Sequence, residues 1–447
     1  MKTAIVVGGG LAGLVTARAL ARSGGFRPIV LESKPILGGL AASWRDAGGS
    51  LVETGLHVCF PYYRYFLGML EELGAAAGIE WGHPTFSYVR TGGDVAQLRF
   101  PSLPAPLHGA IAIARHGHLS ILDRISAVLG AVEATLSSAG WRRRYESMTF
   151  VQWAAQRGFS SELITGVFEP MIGGLTFLRG DQVSARAMLD YINAVGGRAD
   201  FCRVGLFKAG VGEVVIDPVA ADVTRRGGEI RTGCPVATLD MESGKIAGVR
   251  LLDGTRLRAD VVIAAVPCHA IGSMLPSAVL DHPALRKVTL LRPVPVASAL
   301  IWFDRPVGGP AGLRFSPRCA FNTWVDMAEL LPELAGSNRS VLQLVVAPLD
   351  GMSTLDDAAL AACVVGDIRR VLPAARTAIV EKVVMTRTPQ SFHAVVPGAE
   401  SQRPEVNIGI PGLLLAGDYV RTGHSPCMES AVVSGLRAAA AAIEGCA

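Results

Sequence analysis

The sequence predicts an α/β fold in two interleaved domains. Three observations predict it: a glycine-rich turn follows an apolar strand at residues 5–13, a strand meander and a buried strand occupy residues 229–266, and a second buried strand ends in Gly-Asp at residues 413–418. Apolar strands alternating with helical patterns are typical of parallel sheets covered by helices. Because these three pieces are far apart in the chain, one domain must be assembled from separate segments.

The glycine turn has the pattern Gly8-x-Gly10-x-x-Gly13 and leads into a helical pattern. Gly8 permits a tight turn, Gly10 lets the backbone approach a pyrophosphate, and Gly13 allows close packing of the helix against the sheet. The amides of Leu11 and Ala12 at the helix N-terminus suit a phosphate group. The turn therefore predicts dinucleotide binding, with a plain structural turn as the alternative.

An acidic residue supports the dinucleotide interpretation. Glu32 ends the next apolar run, 19 residues beyond the last glycine of the turn, and Ser33 follows it. A carboxylate at this place accepts hydrogen bonds from a ribose 2′-hydroxyl and repels a 2′-phosphate. Gly38, Gly39 and Leu40 extend the site beyond the first strand-helix-strand unit. The sequence thus predicts a Rossmann-like domain that binds an unphosphorylated adenosine dinucleotide.

The C-terminal segment indicates which dinucleotide is bound. The strand 413–415 leads to Gly417 and Asp418, and a helix is predicted from Met428 onward, with Ala431 in its first turn. An acid can bind a ribityl hydroxyl, and a helix N-terminus stabilises negative charge on a reduced flavin ring. This arrangement favours a flavin, although Asp418 as a simple turn or helix-capping acid remains an alternative.

The length of 447 residues is too great for one ordinary core, so we expect two domains. The cofactor domain is predicted to comprise residues 1–85, 206–270 and 405–447, and the substrate domain residues 86–205 and 271–404. Within the cofactor domain, a meander of three strands is expected at 229–239, 245–252 and 255–257. The first insertion is expected to be mostly helical. The second is expected to form one sheet from strands at 294–303, 320–325, 340–346 and 379–385.

Composition narrows the possible functions. Half of the residues are hydrophobic, 18% are charged, and the net charge of +4 is mild, so nucleic-acid binding is not expected. The cysteines form no Cys-x-x-Cys pair, and we expect reduced thiols with no disulfide framework and no metal site. They are Cys59, Cys202, Cys234, Cys268, Cys319, Cys363, Cys427 and Cys446.

No run of 18 apolar residues occurs, and the glycine turn begins within ten residues of Met1. We therefore expect no transmembrane helix, no cleaved signal peptide and a cytoplasmic location. An apolar stretch at 103–115 precedes an amphipathic helical pattern at 119–136 that carries Arg124. Such a pattern suits peripheral contact with the cytoplasmic membrane, and an ordinary helix packed on its own domain is the alternative.

Several blocks of the sequence resemble one family in order. Gly38-Gly39, then Ser43–Asp46, then Glu53–Val58 are similar to the N-terminal signature of the plant and cyanobacterial-type phytoene and ζ-carotene desaturases. Further similar blocks follow at 103–109, 301–305, 388–391, 415–419 and 425–435. The wider flavin amine oxidase superfamily and the hydroxysqualene dehydroxylases share the first and last blocks, and the middle blocks favour the desaturases.

The resemblance implies FAD in a flavoprotein fold of the GR2 type, with an apolar tunnel that leads to the flavin ring. It implies that an allylic C–H of an isoprenoid or carotenoid-like substrate gives a hydride to flavin N5. Electrons then pass to a quinone or to oxygen. The cofactor-binding candidates are Gly8, Gly10, Leu11, Ala12, Gly13, Glu32, Ser33, Gly38, Gly39, Leu40, Gly55, Leu56, His57, Pro235, Val236, Ala265, Pro267, Gly417, Asp418, Met428 and Ala431.

The catalytic candidates are His57, Tyr419 and His424, which lie in or beside the cofactor blocks. For His57 the alternative is a hydrogen bond to a carbonyl group. The sequence also departs from the family at three places. Val214 stands where phytoene desaturases carry an arginine, Pro61 replaces a glycine after the Gly-Leu-His block, and Ser430 replaces a glycine after Met-Glu.

These departures keep other functions open. A hydroxysqualene dehydroxylase-like enzyme would retain the flavin and act reductively on an alcohol. A flavin amine oxidase would use oxygen as acceptor and would need a pair of aromatic side chains that face the flavin. A redox-neutral flavoprotein such as a polyene isomerase would turn over without net electron transfer.

Overall fold

The protein is described here from a computed structural model that covers residues 1–334 and 336–445, so Cys446 lies outside the described residues. The strands, in chain order, are β1 (Lys2–Val7), β2 (Phe26–Leu31), β3 (Ser43–Arg45), β4 (Leu51–Glu53), β5 (Ile79–Trp81), β6 (Thr85–Val89), β7 (Val95–Arg99), β8 (Gly205–Phe207), β9 (Glu229–Arg231), β10 (Val236–Glu242), β11 (Lys245–Leu251), β12 (Arg256–Arg258), β13 (Val261–Ala264), β14 (Val296–Phe303), β15 (Arg314–Phe315), β16 (Thr323–Asp326), β17 (Ser340–Val346), β18 (Val380–Thr388) and β19 (Leu413–Leu415).

The helices, in chain order, are α1 (Leu11–Arg22), α2 (Arg64–Glu72), α3 (Leu107–Ala114), α4 (Ile121–Leu136), α5 (Ala139–Arg142), α6 (Phe150–Ala155), α7 (Ser161–Leu163), α8 (Glu169–Thr176), α9 (Ala185–Gly196), α10 (Asp217–Arg225), α11 (Cys268–Met274), α12 (Ser277–Leu280), α13 (Pro283–Val288), α14 (Asp357–Val371) and α15 (Met428–Ile443). Single π-helical turns at Ile164–Phe168 and Gly212–Ile216 precede α8 and α10.

A five-stranded sheet carries the glycine turn. Its order is β19-β13-β1-β2-β9, and every pair in it is parallel. Parallel strands are covered on both faces, which explains why residues 4–7, 261–264 and 413–415 are buried throughout. The predicted α/β class is confirmed. The sheet collects strands from three distant parts of the chain, while the limits of the two domains stay a prediction.

Helices α1 and α15 pack unusually close together because small residues face each other. A Cβ added to Gly435 would lie 2.6 Å from the carbonyl oxygen of Ala12, so the two backbones are nearly in contact there. The hydroxyl of Thr16 donates to the same carbonyl oxygen at 2.8 Å. Only a residue without a side chain allows this approach. The contact ties the C-terminal helix to the helix of the glycine turn.

Helix α10 is attached to α1 by a buried cluster of charges. The Asp222 carboxylate, whose side chain is fully buried, accepts from Arg18 Nε at 2.7 Å and from Arg226 Nε at 3.0 Å, and it also pairs with Arg225. Burial by itself raises the pKa of Asp222, but the hydrogen bonds from Arg226, Arg18 and Arg225 outweigh it and lower the pKa from 3.8 to about 2.

The prediction of one continuous strand at 229–239 is wrong, because the structure has two separate strands there. The chain leaves the parallel sheet after β9 and enters a separate antiparallel sheet, β10-β11-β12, instead of continuing as one strand. Gly233 has a φ of +65°, and the Cys234 amide turns back to donate to the Glu32 carbonyl oxygen at 2.8 Å. The positive φ and the following Pro235 both interrupt an extended strand.

A seven-stranded sheet has the order β18-β14-β17-β16-β15-β6-β7. The prediction that the second insertion forms one sheet is confirmed by the antiparallel pairs of β14 with β17 and β18 and of β16 with β17. The expectation of a mostly helical first insertion misses the hairpin β6–β7. This hairpin joins the same sheet through a parallel pairing of β6 with β15. The two insertions therefore share one sheet.

The two faces of this sheet differ in what covers them. On β14, Ala297, Ala299, Ile301 and Phe303 belong to a core shared with α14. The alternate residues face the other side, because successive side chains of a strand point to opposite faces. There the helices α3 to α9 enclose a large cavity, which is described below.

Replacing Asp222 by asparagine is expected to lower the free energy of unfolding by about 1.5–3 kcal/mol near pH 7, because the buried Arg18 loses one of its two anions, the other being Glu72, and a charge-assisted hydrogen bond becomes a neutral one. The native carboxylate has a lowered pKa, so its stabilisation is present above about pH 4 and is lost as the pH falls toward about 2. Urea denaturation of wild type and Asp222→Asn between pH 7 and pH 3 measures this. The difference between the two proteins should shrink at the acidic end.

The matched control is Asp281→Asn. Asp281 pairs with Arg286 on the surface, where the ion pair is fully accessible to solvent, so stability should change little. Equal effects of the two substitutions would contradict a structural role for the buried cluster.

Candidate cofactor and substrate site

The glycine turn has the conformation that the sequence predicts. Gly8 has a φ of +111°, and a Cβ on it would lie 2.5 Å from the carbonyl oxygen of Ala265. A Cβ on Gly13 would lie 2.0 Å from the carbonyl oxygen of Gly8. At Gly10 the nearest atom to a Cβ is 3.8 Å away, so this glycine borders open space. Gly8 and Gly13 are therefore required by the fold, whereas Gly10 leaves room for a ligand.

Helix α1 begins at this open space. Its first residue follows Gly10, and no side chain caps the helix. The amides of Leu11, Ala12 and Gly13 thus precede the first intrahelical hydrogen bond, from the Leu14 amide to the Gly10 carbonyl oxygen. Free amides and the positive end of the helix dipole suit a pyrophosphate.

Glu32 is buried beside the turn. Its Oε2 accepts from the Gly9 amide at 2.7 Å, and its Oε1 accepts from the Lys34 amide at 2.8 Å and from the Ser33 hydroxyl at 3.1 Å. These bonds fix the direction of the carboxylate. Each carboxylate oxygen has two acceptor positions, so Oε2, which accepts one hydrogen bond, can still accept from a ribose hydroxyl.

The segment with Gly38, Gly39 and Leu40 is joined to the turn. The Gly38 amide donates to the Gly9 carbonyl oxygen at 2.9 Å, and Gly38 forms a parallel bridge with Gly10. His57 Nε2 lies 3.0 Å from the Leu40 carbonyl oxygen. The alternative in which His57 bonds a carbonyl group is therefore realised. Gly55 and Leu56 precede His57, and a Cβ on Gly55 would meet nothing within 4 Å.

The C-terminal cofactor loop follows β19 and is held by the start of α15. Gly417 has a φ of +144°, and its amide donates to the Ser434 hydroxyl at 2.9 Å. Asp418 comes next. Burial raises the pKa of Asp418 to about 6, while the nearby Arg403 guanidinium acts in the opposite direction. A carboxyl group held away from bulk water in this way is suited to bind a ligand hydroxyl.

Arg403 is the residue of this site that sequence reasoning missed. Its buried guanidinium donates to the carbonyl oxygens of Asp418 at 2.9 Å, Tyr419 at 3.2 Å, Val420 at 2.6 Å and His424 at 2.7 Å. It also pairs with a carboxylate, Glu400, at 2.8 Å. One side chain thus fixes the whole loop from residue 418 to 424. An isolated arginine before a proline gives no sequence signal for such a role.

Ser430 contributes hydrogen bonds that the glycine of the relatives lacks. Its hydroxyl lies 2.7 Å from the Thr422 hydroxyl and donates to the Asp418 carbonyl oxygen at 3.2 Å. Glu429, also in the first turn of α15, accepts from the amides of Tyr65 and Phe66 at 3.1 and 2.8 Å. Glu429 therefore caps α2. The departure at Ser430 reinforces the cofactor loop.

The thiol of Cys427 caps α15, since it accepts from the Ser430 amide at 3.4 Å. Burial raises the pKa of Cys427 to about 11, which outweighs the effect of the helix N-terminus. Cys427 is thus a structural residue. Met428 and Ala431 lie in the first turn of the same helix, and the Ala431 amide donates to the Cys427 carbonyl oxygen at 3.0 Å.

The other catalytic candidates differ in accessibility. Tyr419 is 1% exposed, and its ring packs against Gly417, where a Cβ would lie 2.5 Å from Tyr419 Cε1. Burial holds the pKa of Tyr419 well above 10. His424 is half-buried, and burial, aided by Arg403, lowers its pKa. Both residues lie on the loop that Arg403 fixes, so the structure brings them close to Asp418.

The remaining cofactor candidates lie at the same edge of the parallel sheet or next to it. Ala265 follows β13 and contacts Gly8, and Pro267 precedes α11. Pro235 and Val236 begin β10 in the neighbouring antiparallel sheet. In open α/β sheets ligands bind beyond the carboxyl ends of the strands, and the ends of β1, β2, β13 and β19 all meet here.

The positions where the sequence departs from the family have simple packing environments. Val214 lies in the π-helical turn before α10, and its side chain packs directly against Gly78. An aliphatic group therefore fills this place. Pro61 occupies the second position of a turn that the Tyr63 amide closes on the Phe60 carbonyl oxygen at 2.9 Å, a position that proline favours.

An apolar cavity lies next to the cofactor segment. Leu56 and Val58, which flank His57, form part of its wall, and Val345 of β17 forms another part. The lining residues include no aspartate, glutamate, lysine or arginine. Most of the remaining wall comes from helices α3, α4, α6, α8 and α9, with Ile113, Ala131, Trp153, Met171 and Ile192 as examples. The cavity suits a long apolar ligand.

The residues at the sheet edge fit FAD. The open space at Gly10 and the uncapped α1 suit the pyrophosphate, Glu32 suits the adenosine ribose, and Asp418 with the start of α15 suits the ribityl chain and flavin. The fold and this site define an FAD-dependent oxidoreductase. A family model for flavin containing amine oxidoreductases matches residues 11–443, and the chain belongs to that family.

Relatives that match nearly the whole of this chain support the resemblance seen in the sequence. The chain is 28% identical to 15-cis-phytoene desaturase of Solanum lycopersicum, over 98% of this chain and 77% of the relative. It is also 28% identical to the enzyme of that name from Synechococcus elongatus, over 98% and 95%. A probable zeta-carotene desaturase of Synechococcus elongatus is 27% identical, over 98% of both chains.

Solved structures show the same fold. An oxidoreductase from Methanosarcina mazei superposes with a TM-score of 0.76 at 20% identity, over 97% of this chain and 99% of that one. A putrescine oxidase bound to putrescine has a TM-score of 0.71 at 19% identity, over 99% of both chains.

We expect Gly10→Ala and Gly13→Ala to fail in different ways. Gly10 faces open space, so its methyl group should leave stability unchanged and weaken FAD binding at least about tenfold by occupying the phosphate position. The methyl group at Gly13 would overlap the Gly8 carbonyl and should destabilise the protein itself. FAD content, from absorbance near 450 nm, and thermal unfolding of the FAD-free protein separate these effects. A stable Gly10→Ala protein with full FAD content would contradict the assignment.

Proposed function

We propose that this enzyme desaturates a hydrophobic isoprenoid or carotenoid-like substrate, with a quinone or oxygen as the final electron acceptor. The observation that carries the proposal is the apolar cavity whose wall includes Leu56, next to the candidate residue His57. The names of the relatives, phytoene and zeta-carotene desaturases, support the same reaction.

The wall of the cavity suits a hydrocarbon and offers little to a charged substrate. Desaturation removes a hydride and a proton from adjacent carbons, and FAD, when bound, supplies the acceptor for the hydride. The task of the protein is to orient the chain and to exclude water. Phe60, Phe86, Phe168 and Phe315 contribute aromatic surface to the wall, which suits contact with a polyene.

Of two alternatives, one is less well supported by this cavity and the other differs in its direction of electron flow. An amine oxidase binds a substrate that is cationic at neutral pH, and burying a cation in a wall without acidic residues is costly. A hydroxysqualene dehydroxylase-like reaction would suit the apolar wall equally well but requires a reductant. The direction of electron flow therefore distinguishes it from the desaturase.

The test is anaerobic incubation of the holoenzyme with phytoene in liposomes. Loss of the flavin band near 450 nm together with a product that absorbs at longer wavelength is expected for a desaturase. Ala131 lines the cavity from α4, so Ala131→Trp should fill it and lower kcat/KM at least about tenfold without changing FAD content.

The matched control is Ala362→Trp, on the exposed face of α14, which should retain full activity. A flavin that phytoene does not reduce in the wild type would overturn the substrate assignment. Equal activity of the two variants would show that this cavity is not the route to the flavin.

We also propose that the enzyme docks on a lipid bilayer through α3 and α4. These helices line the cavity on their inner faces and carry large apolar side chains on their outer faces. Ile121 and Leu122 are 74% and 79% exposed, and Leu107, Ile125, Leu129 and Leu136 are each more than half exposed. No helix within residues 1–334 and 336–445 is long and apolar enough to cross a membrane. Docking in the plane of the bilayer would open the cavity to a lipid-soluble substrate.

Removing two of these side chains, in Leu122→Ser with Leu129→Ser, is expected to lower binding to phospholipid vesicles at least about tenfold, since each leucine contributes about 1.5 kcal/mol or more when buried in lipid. Co-sedimentation with vesicles measures the effect. Leu252→Ser is the control, because Leu252 is 73% exposed but follows β11, far from these helices in the chain. Unchanged vesicle binding in the double variant would contradict the docking surface.

A further inference from the structure

One polar side chain in the apolar cavity is not explained by the proposed reaction. His108 lies in the first turn of α3, is 1% exposed and forms part of the cavity wall. Neither of its ring nitrogens has a hydrogen-bond partner among the described residues. Leaving a buried imidazole without partners costs free energy, which a ligand that hydrogen-bonds to it can recover.

The surroundings of His108 offer no such partner. The ring of Phe100 lies 6.2 Å away, and Leu98 and Ile113 contribute to the same wall. A neutral imidazole presents one N–H donor and one acceptor nitrogen. It therefore matches a hydroxyl group, which also donates and accepts, or a carbonyl oxygen.

The place of His108 in the fold suggests which part of a ligand it meets. Its neighbour Leu107 is 52% exposed on the surface assigned above to the bilayer, so His108 lies just beneath that surface. Leu56, beside the cofactor segment, lines the same cavity. A substrate that enters the cavity from the bilayer with its hydrocarbon end first would have its opposite, trailing end near His108.

We propose that His108 determines specificity by hydrogen-bonding an oxygen function, a hydroxyl or carbonyl group, at the trailing end of the isoprenoid substrate. This inference rests on the proposed function, because it assigns the substrate class of the same cavity. It predicts that an oxygenated isoprenoid binds better than the hydrocarbon of the same skeleton.

The test compares phytol with phytene, its deoxygenated counterpart, in binding to the detergent-solubilised holoenzyme. Binding is followed by tryptophan fluorescence, since Trp153 lines the cavity, and requires no turnover. Wild type should bind phytol about tenfold more tightly than phytene. His108→Phe should reduce this preference to about one while retaining affinity for phytene. His108→Gln, which keeps a donor and an acceptor, should restore part of it.

The matched control is Ile113→Phe, which adds bulk to the same helix and cavity without touching a polar atom. It should change both affinities by a similar factor and leave their ratio intact. An unchanged ratio in His108→Phe would overturn the inference. A wild-type preference for phytol that His108→Phe abolishes, together with no reduction of flavin by any isoprenoid, would overturn the proposed function and the substrate role of His108, although His108 would still bind an oxygen function in this cavity. Failure of both compounds to bind would overturn both.

Discussion

Close contact between backbones at three glycines is the constraint on which the rest of the structure depends. Gly13 places α1 against the turn at Gly8, Gly8 places that turn against Ala265 after β13, and Gly435 places α15 against α1. Side chains at these positions would push the helices α1 and α15 and the parallel sheet apart. The hydrogen bonds and close packing between them do not tolerate such a separation. The carboxyl ends of β1, β13 and β19 and the start of α15 converge because of these contacts, and the cofactor site lies where they converge.

Local patterns made much of this site predictable from the sequence. Three signals predicted the site: the glycine turn, Glu32 and the Gly-Asp step after β19. Each lies within a few residues of the chain, so a single sequence is enough to recognise it. The role of Arg403 and the contact of Glu429 with α2 were not predictable. Arg403 acts on the loop 418–424 and Glu429 on the start of α2, and a single sequence does not show such long-range partners.

The same limit applies to the fold. The four strands of the second insertion were predictable from their apolar runs, but the hairpin β6–β7 was missed, because its short strands lie before a long helical region. The break between β9 and β10 was also missed, although Gly233 and Pro235 mark it. The exposed apolar surface of α3 and α4 was predictable from an amphipathic pattern in the sequence. Its relation to the cavity required the structure, because one pair of helices forms both the wall and the exposed apolar surface.

The order in which the strands appear along the chain constrains how the protein can be made. β1 is synthesised well before two strands of its sheet: its neighbour β13 follows more than 250 residues later, and β19 comes only at 413–415. Until then the nascent chain exposes an unpaired strand edge and the apolar helices α3 and α4. Neither insertion can complete the seven-stranded sheet alone, since β6 of the first insertion pairs with β15 of the second. Folding of the parallel sheet is therefore deferred until β19 has been synthesised, and the unfinished chain is prone to aggregate unless a chaperone or a lipid surface covers it.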